Sequence, residues 1–462
     1  FQARTARASL GMLCSARICF RFLGPCPSAA FSSRASSSSA SVAPSSTQSE
    51  RLQHSRPEVF KADGEEFKTD EKWNLSPTIC RLMERRLLQE EKNPLSLLKQ
   101  RIVNHMHKTH RKPGGRSPLF AVCENERRVV TTYDNFDVLL TPSDHVSRRT
   151  SDTYYVNETH CLRAHTSAHQ HKIMAQGFDC FLAVGDVYRR DDVDSTHYPC
   201  FHQMEGVRLY SADELFNMGG GEQCKMLEEG ERTSKKQAEH TEDAAKVLEI
   251  RLKSVLEDLS DVLFGAECEK RWVDAYFPFT HPSFELEVKY EGKWLEVLGC
   301  GIMEQKLLKS AGVHDKAGWA FGVGLERLAM VLYQIPDIRL FWSRDSGFLS
   351  QFEGAKPEDN VKYRPISAHP QVLFDISFFL PNEVGFVDMK SDVCDVIRNV
   401  GAELIEQVKL TDEFENKKKG TRSQTYRIVY RSNERALTKD EVNTVHKAIE
   451  RELTERFGVK VR

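Results

Sequence analysis

Residues 183 to 206 read AVGDVYRRDDVDSTHYPCFHQMEG, two strand-like runs joined by a charged loop. Because strand side chains alternate, Val187 and Arg189 share one face, and Phe201, Gln203 and Glu205 share one face of the returning run. Together they would line a surface with a guanidinium, a ring, an amide and a carboxylate. His202 and Met204 lie within the same run and are counted as further candidate contacts. A planar guanidinium bridges a carboxylate and a phosphate through paired hydrogen bonds, which makes Arg189 the leading candidate for chemistry. The loop adds Ser195, Thr196 and His197, a potential phosphate-binding set with more donors than a tight turn needs. A lone Tyr-Arg-Arg-Asp is most often solvated charge; the ordered strand-loop-strand string argues otherwise.

Three other stretches carry chemistry. In FGVGLERLAM, residues 321 to 330, glycines followed by Leu325, Leu328, Met330 and Val331 predict a strand running into a helix, with Arg327 on its first turn. A helix start with an arginine is an anion site; a cation there is otherwise mildly unfavourable. The segment from Phe284 to Cys300 predicts a hairpin turning at Glu291-Gly292, which pairs Tyr290 with Lys293 and sets Glu287 opposite Glu296. Directly opposed carboxylates repel, a cost that Mg2+ carried by a phosphorylated substrate would remove. Two solvent-facing glutamates, or a loop of another length, are the plain alternative. Phe277 and Phe279 alternate around Pro278, so both rings project to one face, ready for edge-to-face contact with a bound ring, although such a pair is usually core.

The elements that must position these residues are short strands separated by turns, with helices interspersed irregularly, from about Ser117 to Asp345. That pattern fits an α+β domain on an antiparallel sheet rather than βαβ repetition. Neither GxxxxGK[ST] nor a GxGxxG in a strand-turn-helix unit is present, so P-loop and dinucleotide sites are unsupported. Upstream, Ile79, Leu82, Met83, Leu87 and Leu88, then Leu95, Leu98, Ile102 and Met106, recur at helical spacing, with Pro94 opening the second helix. THRKPGGRS at 109 to 117 is a basic, turn-rich loop, and residues 222 to 259 read as one long amphipathic helix after a flexible turn at Gly219 to Gly221. Beyond linker-like residues 352 to 364 come a strand (Val372 to Leu380), a helix stopped by Gly401, strands near 403 to 411 and 424 to 431, a helix opened by Thr438 and Glu441 at capping-box spacing, and a last strand, Gly458 to Arg462. That βαββαβ order is ferredoxin-like. The resulting plan is a leader (1–55), a helical region (56–116), a catalytic domain (117–345), a linker (346–365) and a ferredoxin-like domain (366–462).

With 462 residues the chain has room for two or three sizeable cores. No run of 18 apolar residues exists to span a membrane. Twelve cysteines show neither a CxxC pair nor zinc-like spacing and read as reduced, mostly buried thiols. The net charge of −2 hides an asymmetry, because residues 1 to 49 hold five Arg, no Lys and no acid, leaving 60 basic against 67 acidic residues beyond them. Nucleic-acid contact must then use local patches rather than a global field. The Ser-rich, Arg-rich, acid-free start has the composition of a mitochondrial transit peptide.

Together these segments resemble the class II aminoacyl-tRNA synthetases and, within them, the phenylalanyl-tRNA synthetases in their single-chain mitochondrial form. LRAHTSAHQ at 162 to 170, the VYRRD, STH and FHQMEG pieces of the opening run, and FGVGLERLAM carry the likeness. YFPFTHPSF at 276 to 284 and WLEVLGCG at 294 to 301 narrow it to the phenylalanine enzymes, over about residues 90 to 462. The resemblance implies ATP-dependent attachment of phenylalanine to mitochondrial tRNA(Phe) through a phenylalanyl-adenylate, with ATP and Mg2+, in the mitochondrial matrix. It implies that Arg189 touches both the amino-acid carboxylate and the α-phosphate. His197, with Ser195 and Thr196, would lie over the β- and γ-phosphates; Phe201 would stack on adenine, Arg327 would face the nucleotide, and Glu296 is the stronger Mg2+ ligand. Glu287 as a second metal ligand is our own reading of the hairpin. Phe277 and Phe279 would form the side-chain pocket, with Ala320 at its floor and Phe321 adjacent. His165, Ser167, Gln203 and Glu205 would hold the amino group and its surroundings, with Thr166, Ala168 and His169 shaping that wall.

By the same resemblance the C-terminal domain binds the anticodon stem and loop; Lys417, Lys418, Lys419, Arg422, Arg427, Arg431 and Arg435 are candidate backbone contacts. The family's dimer-associated motif corresponds to NFDVLLTPSDHVSR at 135 to 148, with Val146 where a Pro usually follows Asp-His, and a monomer is expected. A hydrophobic pocket rejects an added hydroxyl only about a hundredfold in the valine/threonine case, and no segment is left for a hydrolytic domain, so detectable charging of tyrosine analogues is expected. Two other readings stay open. One is a class II synthetase for another amino acid, opposed by Phe277, Phe279 and Ala320. The other is a non-catalytic tRNA-binding relative, opposed by the presence of Arg189, His197, Glu296 and Arg327.

Overall fold

The computed structural model describes residues 56–216, 224–365, 369–381, 386–416, 420–432 and 434–462. The expected leader, the turn at Gly219 to Gly221 and the lysines 417 to 419 lie outside the described residues. The chain opens with a hairpin, β1 (Val59–Ala62) and β2 (Glu65–Lys68), then helices α1 (Pro77–Met83) and α2 (Pro94–Thr109). Next come β3 (Ala121–Cys123), the small antiparallel pair β4 (Val129–Thr131) and β5 (His160–Leu162), and helix α3 (Gln170–Ala175). The long strands β6 (Cys180–Tyr188) and β7 (Cys200–Tyr210) precede helix α4 (Glu242–Phe264), strands β8 (Lys270–Phe277), β9 (Thr280–Tyr290), β10 (Lys293–Met303) and β11 (Ala317–Gly324), and helix α5 (Leu325–Leu332).

These strands form a seven-stranded sheet in the order β3-β6-β7-β11-β10-β9-β8, antiparallel except for the parallel β3–β6 pair. One face carries Cys200, Met204, Phe284, Leu286, Cys300, Phe321 and Val323 into a core shared with α2, α4 and α5. The other face holds the site. Helix starts follow their caps: Ser76 accepts from Ile79 N–H at 3.3 Å before Pro77, and Asn93 accepts from Leu95 N–H at 3.1 Å before Pro94. The first helix ends at Met83, and Leu87 and Leu88 reach the core from a separate short turn.

The helix expected over 222 to 259 starts only at Glu242, where Thr241 accepts from Ala244 N–H at 3.2 Å. Residues before it form an arm bridged between Leu227 and His240. The buried Gln237 amide donates to the carbonyls of His281 (3.0 Å) and Met303 (2.8 Å) and accepts from Gln305 N–H (2.8 Å). A buried amide satisfied three times outweighs apolar periodicity.

The second sheet, in the order β13-β14-β12-β15, joins β12 (Val372–Phe379), β13 (Ile405–Asn416), β14 (Thr421–Tyr430) and β15 (Lys460–Val461). It is backed by α6 (Phe386–Gly401) and α7 (Lys439–Phe457), the latter opened by the expected Thr438/Glu441 capping box. This is the ferredoxin-like βαββαβ arrangement, so α+β holds for both parts. Phe348 and Phe352 remain buried in the first core, so that core extends into the stretch read as a linker.

Candidate functional site

On the open face of the sheet, Glu205 lies opposite Gly322, Gln203 opposite Gly324 and Val207 opposite Ala320. Gly299 pairs with Gly322, and Gly301 with Ala320. Few side chains rise from these registers, so a ligand can rest on bare backbone. Phe277, Phe279, Thr280, Ala320 and Phe321 enclose the space beside Glu205, as expected for a ring pocket. The two phenylalanine rings lie near parallel, 6.3 Å apart and 22° in plane. The space left between these walls is small, about 10 Å³. Phe321 lies across Gly206 on the helix side, where any Cβ on residue 206 would collide with its ring.

Glu205 is buried and accepts from Ser167 Oγ at 2.9 Å, from Gln170 Nε2, and weakly from Thr166 Oγ1 at 3.4 Å. Burial pushes its carboxyl up to about 7 despite these three donors. A carboxylate held this way attracts an ammonium group strongly. His165 sits nearby with Nδ1 buried and unbonded among the described residues. Burial, and then the positive charge of Arg189, lowers its pKa to about 3, so it is a neutral imidazole.

At the other end of the face, Arg189 donates from Nε to the Ala164 carbonyl at 2.7 Å and lays its guanidinium over the Phe201 ring at 5.1 Å. A cavity of about 250 Å³ follows, walled by Thr196, His197, Phe201, Gln203, Leu295 and Arg327 among others. Arg327 stands on the first turn of α5, directly after β11, and lies 3.9 Å from Glu296. His197 Nδ1 is 2.6 Å from Asp194. Burial opposes its charge, but Asp194, with Asp191 and Asp192, outweighs burial and raises its pKa, favouring the imidazolium. Thr196 turns its hydroxyl onto Asp194 at 2.9 Å. Ser195 is tied by its carbonyl to Ile338 N–H (2.8 Å), and its side chain is not part of the cavity wall.

The β9–β10 hairpin has the expected turn and register: Tyr290 pairs with Lys293, and Glu287 with Glu296. Glu291 (φ 49°) and Gly292 (φ 80°) take the left-handed conformations of a two-residue turn. The countercharge for Glu287, however, comes from Arg271 of the neighbouring β8, with Nε at 2.5 Å. Glu287 is therefore engaged by a guanidinium, and the metal role read for it is withdrawn. Glu296 remains as one carboxylate beside the cavity, a donor set that suits Mg2+, which keeps waters and substrate phosphates as its other ligands.

Other candidates fall away from the site. His202 and Met204 point to the helix face: His202 pairs with Glu326 at 2.7 Å and Met204 is core. Ala168 packs with Val130, Phe136, Tyr155 and Cys161. His169 meets Arg163 at 2.9 Å and is held neutral, by burial first and then by Arg163. In the second domain, Arg427 is spent on Asp375 (2.8 Å), Arg435 on Glu441 (2.7 Å) and Arg431 on Glu406 (2.8 Å), while Arg422 gives its carbonyl to Leu380 N–H (2.8 Å).

Three contributors have no role in the sequence reading. Gln170, the last residue of LRAHTSAHQ, stands within a quoted motif and could have been found there. Arg163 is buried, donating to the Glu126 carbonyl at 3.1 Å and to Asp186, and its guanidinium occupies the space a Cβ on Gly185 would need; it props the short helical turn that carries Thr166 and Ser167. From sequence, Arg190 is one of the loop's extra charges, with no partner of its own assigned. It is buried between Asp392 (2.6 Å) and Asp395 (2.7 Å) of α6. Beside it Lys390 meets Asp192 (2.7 Å), and Val408 N–H donates to the Val193 carbonyl (2.9 Å). The loop bearing His197 is thus clamped by the second domain. A larger cavity of about 550 Å³ lies beside Gly185, Asp186 and His202, walled by ion-paired groups including Arg128 with Asp63 and Arg163 with Asp186.

Comparison with known proteins gives two family matches, the tRNA synthetases class II core domain (F) over residues 84–221 and 237–352 and the ferredoxin-fold anticodon binding domain over residues 367–462. A mitochondrial phenylalanine–tRNA ligase of Mus musculus is 49% identical over 405 residues, covering 87% of this chain and 89% of the relative. A probable mitochondrial phenylalanine–tRNA ligase of Drosophila melanogaster is 46% identical, covering 88% and 93%. A chloroplastic/mitochondrial phenylalanine–tRNA ligase of Arabidopsis thaliana is 43% identical, covering 84% and 82%.

Proposed function

Because the chain belongs to the class II phenylalanine–tRNA ligases, we propose that the open face of its sheet joins phenylalanine to tRNA(Phe) in two steps, with the residues just described in specific roles. The buried Glu205 beside the Phe277/Phe279/Ala320 pocket carries this reading: an anion next to an aromatic slot is the complement of phenylalanine's ammonium and ring.

In the first step the amino-acid carboxylate attacks the α-phosphorus of ATP, a P–O bond forms, and pyrophosphate leaves with the electron pair of the broken bond. The nucleophile is already an anion, so no general base is required; the difficulty is bringing two anions together. Glu205 holds the ammonium, and Arg189 bridges carboxylate and α-phosphate while its stacking on Phe201 prepares a surface for the adenine. Arg327 and the His197 imidazolium hold the terminal phosphates as charge builds on the leaving group. Glu296 would hold the Mg2+ that comes with ATP, which supplies electrostatic stabilisation of the phosphate oxygens. In the second step a ribose hydroxyl at the tRNA terminus attacks the acyl carbon, its proton passes to a phosphate oxygen, the acyl–phosphate bond breaks and AMP leaves. The ferredoxin-like domain is read as the anticodon-binding part, and we place the enzyme, as a monomer, in the mitochondrial matrix.

The test is amino-acid-dependent pyrophosphate exchange into ATP, run with each amino acid in turn and followed by charging of tRNA(Phe). Phenylalanine should drive both most strongly, with tyrosine analogues detectable at a lower level. Preference for a different amino acid would overturn the pocket assignment, and no exchange at all would leave a non-catalytic relative.

A further inference from the structure

Residues 92 to 123 contain seven lysines and arginines and no acidic residue, inside a body whose acids outnumber its bases. Three of the seven are used internally. Lys92 pairs with Glu353 at 2.5 Å, Lys99 with Glu124 at 3.1 Å, and Arg101 reaches the Val262 carbonyl at 2.6 Å and Asn360 at 3.2 Å. Lys108, Arg111, Lys112 and Arg116 are exposed and make no ion pair or side-chain hydrogen bond with the described residues. The nearby acids are taken, Asp258 by His105 (3.0 Å) and Asp179 by Lys316 (2.5 Å).

The segment that carries these cations has a defined shape. Lys112 N–H donates to the Ser117 carbonyl (3.0 Å), Gly115 N–H to the Lys112 carbonyl (2.9 Å), and Leu119 N–H to the His110 carbonyl (3.0 Å). Arg111 bridges Pro118, and Gly114 and Gly115 supply the left-handed turn at φ 91° and 71°. The macrodipole of α2 accounts for Lys108 on its last turn but not for the three cations beyond it. The arginines of the ferredoxin-like domain offer a contrast: Arg427, Arg431 and Arg435 are each matched to a carboxylate.

We propose that this basic turn is a second tRNA-binding surface, on the catalytic domain, that holds the RNA phosphate backbone. It rests on the reading that the chain acylates tRNA. Four long exposed cations, one on the last turn of α2 and three on the turn that follows, with no cavity or aromatic platform among them, fit a row of phosphates rather than a base.

The experiment combines Lys108→Gln, Arg111→Gln, Lys112→Gln and Arg116→Gln. Phenylalanine-dependent pyrophosphate exchange without tRNA should match the parent protein, since no adenylation residue is altered; a parent that fails to exchange would instead sink the functional reading. KM for tRNA(Phe) should rise about tenfold, and the salt dependence of log kcat/KM for tRNA should flatten by about one unit of slope for each phosphate no longer neutralised. An unchanged tRNA KM and slope overturns the proposal. So does loss of binding to vesicles of anionic phospholipid with tRNA charging intact, which would assign the turn to a membrane surface. If the fourfold variant also loses exchange, the Lys112→Gln/Arg116→Gln pair takes its place: a raised tRNA KM with exchange intact supports the surface, and an unchanged KM overturns it.

Discussion

The two ends of the catalytic face are built in different ways. At the amino-acid end, Glu205 is buried and held by Ser167, Gln170 and Thr166, all from one short motif of the same domain. At the nucleotide end, the loop from Arg189 to His197 is anchored through Arg190 to Asp392 and Asp395, about two hundred residues away in a different domain. With the roles proposed above, the selection of phenylalanine is enclosed within a single core. The proposed ATP loop, by contrast, shares its support with the part of the molecule read as the anticodon-binding domain, so changes there would reach the nucleotide without touching the amino-acid pocket.

The strongest way to break the contrast is Arg189→Ala, because Arg189 is proposed to serve both ends. Phenylalanine-dependent exchange should fall about a thousandfold, and a loss seen only in KM for ATP would confine Arg189 to the nucleotide. Next in size, Glu205→Gln should raise KM for phenylalanine about a hundredfold with KM for ATP nearly unchanged. The same residue sets a pH signature. Its carboxyl is pushed up to about 7 in the free site, and the protonated form offers the ammonium no charge. Hence kcat/KM for phenylalanine should decline as pH falls through about 7, and this acidic limb should vanish in Glu205→Gln. Smaller again, Asp392→Asn with Asp395→Asn leaves Arg190 buried without its counterions; KM for ATP should rise up to about tenfold while KM for phenylalanine holds. An equal change in both would dissolve the distinction between the ends. Smallest is Glu287→Gln, which removes a half-exposed pair with Arg271 costing about 1 kcal/mol or less and should leave the Mg2+ dependence of exchange unaltered. A shifted Mg2+ requirement would restore Glu287 to the metal.

Local rules were legible in the sequence, and long-range ones were not. The Glu287/Glu296 register follows from one turn and the arithmetic of pairing, and the Thr438/Glu441 cap from a spacing of three. The Phe277/Phe279 slot, Arg327 at its helix start and Arg189 beside Phe201 were likewise written in short motifs. Arg271 as the partner of Glu287 depends on which strand flanks β9, and the Asp392/Asp395 clamp on how two domains meet; neither leaves a local trace. The arm before Thr241 shows that one buried amide can override apolar spacing. His202 and Met204 are different: alternation from Phe201 and Gln203 already pointed both toward the helices, and counting them as contacts set that rule aside.

Val193 sits in the ATP loop by chain order, yet its side chain is buried with Ile376, Phe378, Val393, Ile397 and Val408, in the core of the ferredoxin-like domain. The loop and that domain therefore form a plug and its socket. Exchanging the C-terminal domain for that of a more distant relative would leave an apolar tip facing a hole of the wrong shape, so the two pieces have to be inherited together although they lie far apart in the chain.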